Sequence, residues 1–342
     1  MTHSPITIED VQAAATRIKV HRTPVLSCST VNNIASENNA LPIELFFKCE
    51  LFQKTGSFKY RGASNAVSLL RPKSTLTHSS GNHAQALAKA ALDHNIPAYI
   101  VMPNNSPQVK KDAVRGYGAT VIECEPTLEA REATAEKVMK ETGSTLIHPF
   151  ENSAVIAGQG TIALEFLAQI SEQGTALDAL IIPVGGGGML SGCAVTAKSI
   201  ASNILVFGAE PEIVNDTYRS YYSEKGNNKN KDEWTRQINN VGATSVADGL
   251  LTNVGKNTFP IIMQYVDGIY TVTEEQILQA MKLIWNRMKL CIEPSAATGV
   301  AVVLYNTEFH QMAKEKQIKK IGIVLCGGNV DIDRAAKLMS SV

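Results

Sequence analysis

The sequence has no excess of either charge. Its 342 residues include 32 lysines and arginines and 32 aspartates and glutamates, so the formal net charge is zero. No run of basic residues provides the patch that a nucleic-acid-binding protein or a protein on an anionic membrane surface would need. We therefore expect no nucleic-acid partner and no membrane partner. The expected partners are small molecules and other protein chains.

Cysteines are few, and targeting signals are not evident. The N-terminal residues 1–10 lack the basic and apolar regions of a signal peptide, and no apolar run approaches the roughly 20 residues that cross a bilayer. The cysteines contain no C-x-x-C pair; they are Cys28, Cys49, Cys124, Cys193, Cys291 and Cys326. This spacing indicates neither a disulfide framework nor a zinc site and is typical of reduced thiols. The sequence predicts a cytoplasmic protein.

The chain does contain an alternation of apolar runs and amphipathic segments. Strands are predicted at 45–47, 75–78, 98–102, 120–124, 179–184, 205–208 and 321–325. Helices are predicted at 8–20, 60–70, 84–91, 110–116, 129–141, 158–169, 189–199, 273–289 and 296–304. This βαβ alternation predicts parallel sheets covered by helices, and the length allows about two domains. The polar segment 218–234, with its low-complexity tract 227–232, is predicted to be an exposed excursion.

One lysine has the neighbours of a candidate nucleophile. Lys59 lies between Ser57-Phe58 and Arg61-Gly62 at the start of a predicted helix. With its amine directed inward and Arg61 at the rim, removal from water and nearby cations would lower the pKa of Lys59. The uncharged amine could then attack a carbonyl carbon. A lysine chosen at random is more often a solvated surface residue, so this assignment depends on the rest of the site.

Three predicted strands are followed by turns rich in glycine or polar residues, at 79–83, 185–188 and 326–329. Ligands bind outside the carboxyl ends of parallel strands, so these turns can meet at one crevice. The four glycines at 185–188 can wrap a phosphate with backbone N–H groups, although a flexible turn is the alternative. The turn at 79–83 suits a substrate carboxylate. Its alternatives are a helix cap for Ser80 and a packed core position for His83.

These motifs occur in the order seen in one enzyme family. They are Ser57-Phe58-Lys59-x-Arg61-Gly62, Ser80-Gly81-Asn82-His83, the tetraglycine and Cys326-Gly327-Gly328-Asn329. Over nearly its whole length the chain resembles the pyridoxal-phosphate enzymes of the tryptophan-synthase-β fold, which include the serine and threonine dehydratases. Longer runs at 46–59, 155–161, 183–190 and 287–289 are most similar to the amino-acid racemases of this family.

The resemblance implies an α/β protein of pyridoxal-phosphate fold type II. Two open, twisted parallel sheets with helices on both faces would hold the cofactor, pyridoxal 5′-phosphate, in the cleft between them. Residues 1–72 and 153–342 would form a large cofactor-binding domain, and 73–152 a small mobile domain. The implied activity is interconversion of L- and D-serine with elimination of water from serine to pyruvate and ammonia. The alternatives are an L-serine or L-threonine dehydratase with little racemase activity and a cofactor-binding module without turnover.

The resemblance also implies roles for single residues. Lys59 would bind the cofactor covalently and act as a base on one face of Cα, while Ser80 would exchange a proton on the other face, because racemisation needs two groups. Asn82 would contact the 3′-hydroxyl and Phe58 the ring. The implied cofactor contacts are Phe58, Lys59, Asn82, Gly185, Gly186, Gly187, Gly188, Met189 and Cys326. The implied substrate contacts are Ser79, Ser80, Gly81, Asn82, His83, Arg131, Asp248 and Gly249.

Cys326 matches the position that faces the pyridine nitrogen. A thiol cannot keep that nitrogen protonated as a carboxylate would, so the ring would be a weaker electron sink. We therefore expect reprotonation at Cα and loss of the β-hydroxyl to occur at one site. The alternative for Cys326 is a small, buried apolar side chain.

Two further sites are implied by the resemblance. Glu210, Val214 and Asp216 match a divalent-cation site, whose oxygen ligands suit Mg²⁺ or Ca²⁺, with Mn²⁺ as an alternative; taken alone, Asp216 resembles a helix cap and Glu210 a solvated acid. ATP, a candidate activator, would bind at the interface of a homodimer. The matching residues are Ser29, Thr30, Lys54, Thr55, Gln85, Lys110, Tyr117, Lys289 and Asn329. The run Cys28-Ser29-Thr30 departs from the family pattern, and Lys110 also fits a solvated surface position.

Overall fold

The computed structural model describes residues 6–226, 234–239 and 242–342. Its α-helices are α1 (Ile8–Arg17), α2 (Ser29–Asn39), α3 (Lys59–Leu70), α4 (Asn82–Asp93), α5 (Gln108–Gly116), α6 (Leu128–Thr142), α7 (Ser153–Glu172), α8 (Gly188–Ile200), α9 (Asp216–Glu224), α10 (Phe259–Tyr265), α11 (Glu274–Met288), α12 (Pro294–Tyr305), α13 (Thr307–Glu315) and α14 (Ile332–Met339). Its strands are β1 (Val25–Leu26), β2 (Glu44–Cys49), β3 (Thr75–His78), β4 (Ala98–Pro103), β5 (Thr120–Cys124), β6 (Thr145–Leu146), β7 (Ala179–Pro183), β8 (Leu205–Pro211), β9 (Gly268–Val272) and β10 (Lys320–Leu325).

The strands form two sheets. The larger has the order β1-β2-β10-β7-β8-β9 and is parallel except for β1, which runs antiparallel to β2. The smaller has the order β5-β4-β3-β6 and is parallel throughout. The predicted α/β fold with two parallel sheets is confirmed.

The smaller sheet comes from one continuous segment, 75–146, between α3 and α7. The larger sheet takes β1 and β2 from before that segment and its other strands from after it. The segment lies inside the range 73–152 predicted for a small domain. The boundaries of that domain and its mobility stay predictions.

The central strands of the larger sheet and the helices over them form the main core. All five residues of β7 are buried, as expected for a strand covered on both faces. Helix α7 has 20 residues and is apolar enough to span a bilayer, but 72% of its most apolar window is buried, where it packs against α3 and α8. In this protein it is a core helix.

Local capping accounts for two helix starts. The side chain of Thr7 accepts from Asp10 N and that of Thr273 accepts from Gln276 N, and each pair forms a capping box. Both predicted caps are confirmed, although α1 ends at Arg17, before the predicted end at Val20.

The predicted exposed excursion at 218–234 is wrong over its first part. Helix α9 covers Asp216–Glu224, and Thr217, Ser220, Tyr221 and Glu224 are buried along one face at helical spacing. The Tyr221 hydroxyl donates to Val266 O at 2.8 Å, so this polar-looking segment is attached to the larger sheet. The tract 227–232 lies outside the described residues.

Candidate active site

Lys59 is the first residue of α3 and lies beside the turn that follows β10. Phe58 N donates to Cys326 O at 3.0 Å, and Gly328 N donates to Gly56 O at 3.0 Å. These bonds flank a bridge between Ser57 and Gly327. The Lys59 loop and the Cys326 turn, 267 positions apart along the chain (326 minus 59), are thus held together as the motifs predict.

The Lys59 amine lies inside the site, and the residue as a whole is half-buried. Nζ is 3.3 Å from Pro149 O and 5.1 Å from the centre of the Phe58 ring. Burial lowers the pKa of Lys59 to about 8, while the charges of Cys326 and Glu293 act in the opposite direction. The predicted contribution of cationic neighbours is therefore wrong, and desolvation alone makes the uncharged amine accessible near neutral pH.

The tetraglycine turn forms an open cradle of backbone N–H groups. Gly187 has φ of +85°, a conformation that glycine adopts without strain, and a Cβ on Gly186 would lie 2.3 Å from the Phe150 ring. Thr258 Oγ1 donates to Gly186 O at 2.7 Å, which fixes the turn. Within the described chain, the N–H groups of residues 185–187 donate to no other residue. Such groups before the N-terminus of α8 can bind a phosphate.

The turn after β3 presents a hydroxyl that does not cap a helix. Helix α4 begins at Asn82 with Gly81 as its N-cap, so the alternative of a cap role for Ser80 is wrong. The Oγ of Ser79 accepts from Gly81 N at 3.3 Å. Ser80 is half-buried and leaves its hydroxyl available to a ligand.

His83 is buried and uncharged. Its Nε2 contacts Ile147 O at 3.0 Å, and Nδ1 has no partner among the described residues. Burial lowers the pKa of His83 to about 3, so Nε2 donates and Nδ1 carries a lone pair. The lone pair on Nδ1 repels a carboxylate, so only the backbone N–H of His83 can donate a hydrogen bond to the substrate carboxylate.

A carboxylate that the sequence analysis missed lies next to this turn. Glu293, 4% exposed, accepts from Asn82 Nδ2 at 3.0 and 3.2 Å and from Asn329 N at 3.1 Å. Burial raises the pKa of Glu293 to about 7. The only sequence feature that could have identified Glu293 is its position immediately before Pro294 and an apolar helix.

The segment 148–150 is a second omission. Pro149 O contacts Lys59, and the Phe150 ring covers Gly186 and Gly188. His148 Nδ1 accepts from Glu151 N at 3.0 Å, and burial lowers the pKa of His148 to about 4. The two-residue strand β6, which delivers this segment, has no recognisable pattern in the sequence.

The other predicted substrate residues lie around the same turns. Asp248 forms an ion pair with Lys110 at 3.2 Å, and Gly249 N donates to Ser295 Oγ at 3.1 Å, near Glu293. Arg131 on α6 lowers the pKa of His78, the residue before Ser79, after the larger effect of burial. Met189 is buried in the first turn of α8, directly after the tetraglycine.

The predicted cation ligands are two buried carboxylates. Glu210 is the second-last residue of β8 and accepts from Tyr218 N at 2.9 Å; Asp216 begins α9 and accepts from Val254 N at 2.7 Å. Burial raises the pKa of Glu210 well above its usual value, with a further contribution from Asp216, and raises the pKa of Asp216 to about 6. A divalent cation suits this pair, and the alternative of a solvated Glu210 is wrong. Val214, which lies between these two residues in the sequence, is also buried.

The predicted nucleotide residues are only partly brought together. Asn329 Nδ2 donates to Thr55 O at 2.7 Å, while Lys54 Nζ donates to Lys19 O at 2.8 Å. Six further predicted nucleotide residues form no side-chain hydrogen bond or ion pair with another predicted nucleotide residue within the described ranges. They are Ser29, Thr30, Gln85, Lys110, Tyr117 and Lys289.

Comparison with known proteins agrees with this geometry. Residues 17–327 match the family model described as pyridoxal-phosphate dependent enzyme. The chain belongs to the pyridoxal-phosphate dependent enzymes. Serine racemase of Dictyostelium discoideum is 47% identical over 342 residues, covering 98% of this chain and 98% of that protein. A crystal structure of that racemase has a TM-score of 0.84 at 48% identity, covering 96% of this chain and 100% of that chain. The β-hydroxyaspartate dehydratase of Paracoccus denitrificans is 42% identical, covering 96% of this chain and 98% of that protein.

For a pyridoxal-phosphate enzyme, the groups present suit the cofactor. The N–H groups of 185–187, which donate to no other described residue, suit its phosphate, and the amine of Lys59, with its pKa lowered to about 8, suits its aldehyde. The buried Oγ of Ser57, close to Lys59, has no partner in the described part of the chain. Burial raises the pKa of Cys326 well above its usual value, so this site offers a neutral thiol to the ring.

The predicted place of Arg61 at the rim is wrong. Arg61 is 1% exposed and forms buried ion pairs with Glu50 at 2.8 Å and Glu165 at 3.1 Å. Lys48, fully buried, forms an ion pair with Glu165 as well. This network attaches the first turn of α3, and therefore Lys59, to β2 and α7.

We expect Arg61→Met to lower the free energy of unfolding by about 3 kcal/mol or more, because Glu50 is then left buried without its cation. Urea denaturation of the two proteins measures the difference. Arg115→Ala is the control, since Arg115 forms only exposed ion pairs and should change stability by less than about 0.5 kcal/mol. A similar small loss for Arg61→Met would contradict the role given to the network.

Proposed function

We propose that this enzyme interconverts L- and D-serine and also eliminates water from serine to give pyruvate and ammonia. The observation that carries the proposal is that residues from the larger and the smaller sheet meet at one site. Lys59, with a lowered pKa, begins α3, and the turn that follows β3 of the smaller sheet contains Ser80, whose hydroxyl has no hydrogen-bond partner among the described residues. Asn82, two residues after Ser80, bonds to Glu293 and Asn329 beside the Cys326 turn. The similarity to a racemase over 98% of the chain supports the same reaction.

Cofactor binding is assigned to residues at three turns. Gly185 to Gly188 and Met189 would bind the phosphate, Asn82 would contact the 3′-oxygen, Phe58 would pack against the ring and Cys326 would face the pyridine nitrogen. Lys59 would provide the amine for covalent attachment. When bound, the cofactor withdraws electrons from Cα of the amino acid and makes its hydrogen acidic.

Proton transfer is assigned to two side chains. Lys59 removes or returns the proton on the face of Cα that carries it in L-serine, and Ser80 does so on the opposite face. The substrate carboxylate binds to N–H groups of residues 79–83 at the start of α4, where the helix dipole favours an anion. The further substrate contacts in this proposal are Arg131, Gly249 and Asp248, the last of which forms an ion pair with Lys110.

The second candidate is a serine or threonine dehydratase with little racemase activity. The similarity to a β-hydroxyaspartate dehydratase, 42% identical, favours it. A time course with L-serine that resolves D-serine from pyruvate separates the two. We expect both products from the start of the reaction, because one site generates both. Pyruvate accumulating without D-serine would contradict the racemase proposal and favour the dehydratase.

A divalent cation is proposed at Glu210, Asp216 and the Val214 carbonyl, with Mg²⁺ or Ca²⁺ preferred over Mn²⁺. The cation offsets the repulsion between two buried carboxylates. We expect Mg²⁺ to raise the unfolding temperature of the wild type by at least about 2 °C at saturation. Asp216→Asn should abolish that response. Glu212→Gln, which changes an exposed acid in the same turn, is the control; an equal Mg²⁺ response in Asp216→Asn would place the cation elsewhere.

ATP as an activator, a homodimer and a cytoplasmic location complete the proposal. The nucleotide contacts remain Ser29, Thr30, Lys54, Thr55, Gln85, Lys110, Tyr117, Lys289 and Asn329. These assignments rest on the family resemblance of the sequence motifs, and no role in nucleic-acid or membrane binding is assigned.

A further inference from the structure

A chain of hydrogen bonds connects the Lys59 loop to the start of α4. Asn329 Nδ2 donates to Thr55 O at 2.7 Å and to Asn82 Oδ1 at 2.9 Å. Asn82 Nδ2 in turn donates to both oxygens of Glu293, at 3.0 and 3.2 Å. The chain therefore runs from a backbone carbonyl through two amides to a buried carboxylate.

The two ends of this chain determine how both amides are oriented. The oxygen and nitrogen of an asparagine amide are assigned from their partners. A carbonyl can only accept, and the same is true of Glu293 in its ionised form, so Asn329 must direct its NH₂ group to Thr55 O, and Asn82 directs its NH₂ group to the ionised Glu293. Asn82 Oδ1 is then left to face Asn329 Nδ2. Because both contacts go to the same carboxylate, one N–H of Asn82 can serve them, and its second N–H can then serve a ligand.

Glu293 has few alternatives to this arrangement. It is buried at the N-terminus of α12, and a Cβ on Gly327 would lie 2.8 Å from its Oε1. The charged or titratable groups that act on it or feel its charge are Lys59 on α3, Cys326 after β10, and the ion pair of Asp248 and Lys110. Among the described residues, none of these donates a hydrogen bond to its carboxylate, so Asn82 and the backbone N–H of Asn329 hold it.

We propose that Glu293 is a positioning residue that fixes the amide of Asn82 so that an N–H, and not the carbonyl, faces the 3′-oxygen of the cofactor. This inference rests on the proposed function, in which Asn82 contacts that oxygen. A reversed amide would direct its carbonyl at an oxygen that carries negative charge. Glu293 thus acts on the cofactor through Asn82 and does not touch it.

Glutamine at position 293 should disturb this arrangement of hydrogen bonds around Asn82. Glu293→Gln retains the shape but has one acceptor where two donors point, Asn82 Nδ2 and Asn329 N. Whichever way the new amide turns, an N–H group faces another N–H group, so the orientation of Asn82 loses the support of Glu293 and is held by Asn329 alone. Glu293→Met removes the acceptor entirely. Both changes remove a buried carboxyl whose desolvation is unfavourable, so we expect both variants to fold.

The test is a double-mutant cycle on cofactor binding to the full-length protein. Holoenzymes of the wild type, Glu293→Gln, Asn82→Ala and the double variant are dialysed against decreasing pyridoxal phosphate, and the visible absorbance of the bound cofactor is followed. We expect each single change to weaken binding roughly ten- to hundredfold, the equivalent of one charge-assisted hydrogen bond. The double variant should bind no more weakly than Asn82→Ala alone, because Glu293 acts through Asn82. Glu293→Gln should also alter the band shape, which reports the protonation of the 3′-oxygen.

Three results would overturn the proposal. These are binding by Glu293→Gln within threefold of the wild type, effects of the two changes that multiply, or loss of folding in both Glu293 variants, which would make the role structural. Thr298→Val on the same helix is the control, since Thr298 is buried but contacts neither asparagine. The readout is binding, so it is independent of whether the wild type forms D-serine.

Discussion

Lys59→Ala is expected to lose racemisation and elimination together, each by about ten-thousandfold or more. The substitution removes both the covalent attachment of the cofactor and the base on one face of Cα, so no branch of the reaction survives. Steady-state assays for D-serine and pyruvate measure the two losses. The visible absorption band that arises from the bond between the cofactor and the lysine amine should disappear as well, because a cofactor held only by its phosphate lacks that bond.

Lys89→Ala provides the matched control for Lys59. Lys89 is on α4 and forms an ion pair with Asp93, away from the turns of the site. Its loss should leave both activities unchanged. Retention of the visible band in Lys59→Ala, or activity comparable with that of Lys89→Ala, would show that another amine holds the cofactor.

Ser80→Ala is expected to separate the two reactions. Racemisation should fall by about a hundred- to ten-thousandfold, since the proton on the second face has no acceptor or donor. Elimination from L-serine begins on the Lys59 face and should be retained in part. Ser79→Ala is the comparison, because Ser79 supports the turn through Gly81 N and should lower both rates in proportion. An equal loss of both reactions in Ser80→Ala would make Ser80 a positioning group without a proton-transfer role.

Much of the fold could be predicted because its strong elements have clear local patterns. The apolar run at β7 and the Thr273 cap of α11 are visible in any window of the sequence. Other elements have no such pattern. Strands β1 and β6 have two residues each and exist because longer neighbours pair with them. Helix α9 was misjudged because its buried face consists of Thr, Ser, Tyr and Glu, which composition alone assigns to the surface.

The candidate site could be predicted only where residues are adjacent in sequence. The order of the motifs identifies Lys59, Ser80, the tetraglycine and Cys326 as site residues. It does not identify Glu293, because its hydrogen-bond partners Asn82 and Asn329 lie 211 and 36 positions away along the chain. Arg61 shows the same limit. The charge of Arg61 predicts a position at the rim of the site. Arg61 is buried instead because Glu50 and Glu165 form ion pairs with it, and only the tertiary structure brings these residues together.

Exchange of the Cα hydrogen in deuterated water tests the two-base account most directly. With the wild type, both enantiomers of serine should acquire deuterium at Cα. With Ser80→Ala, recovered L-serine should still acquire deuterium through Lys59, while D-serine should retain its hydrogen. Exchange of D-serine by Ser80→Ala at the wild-type rate would contradict the account, because a group other than Ser80 would then serve the second face.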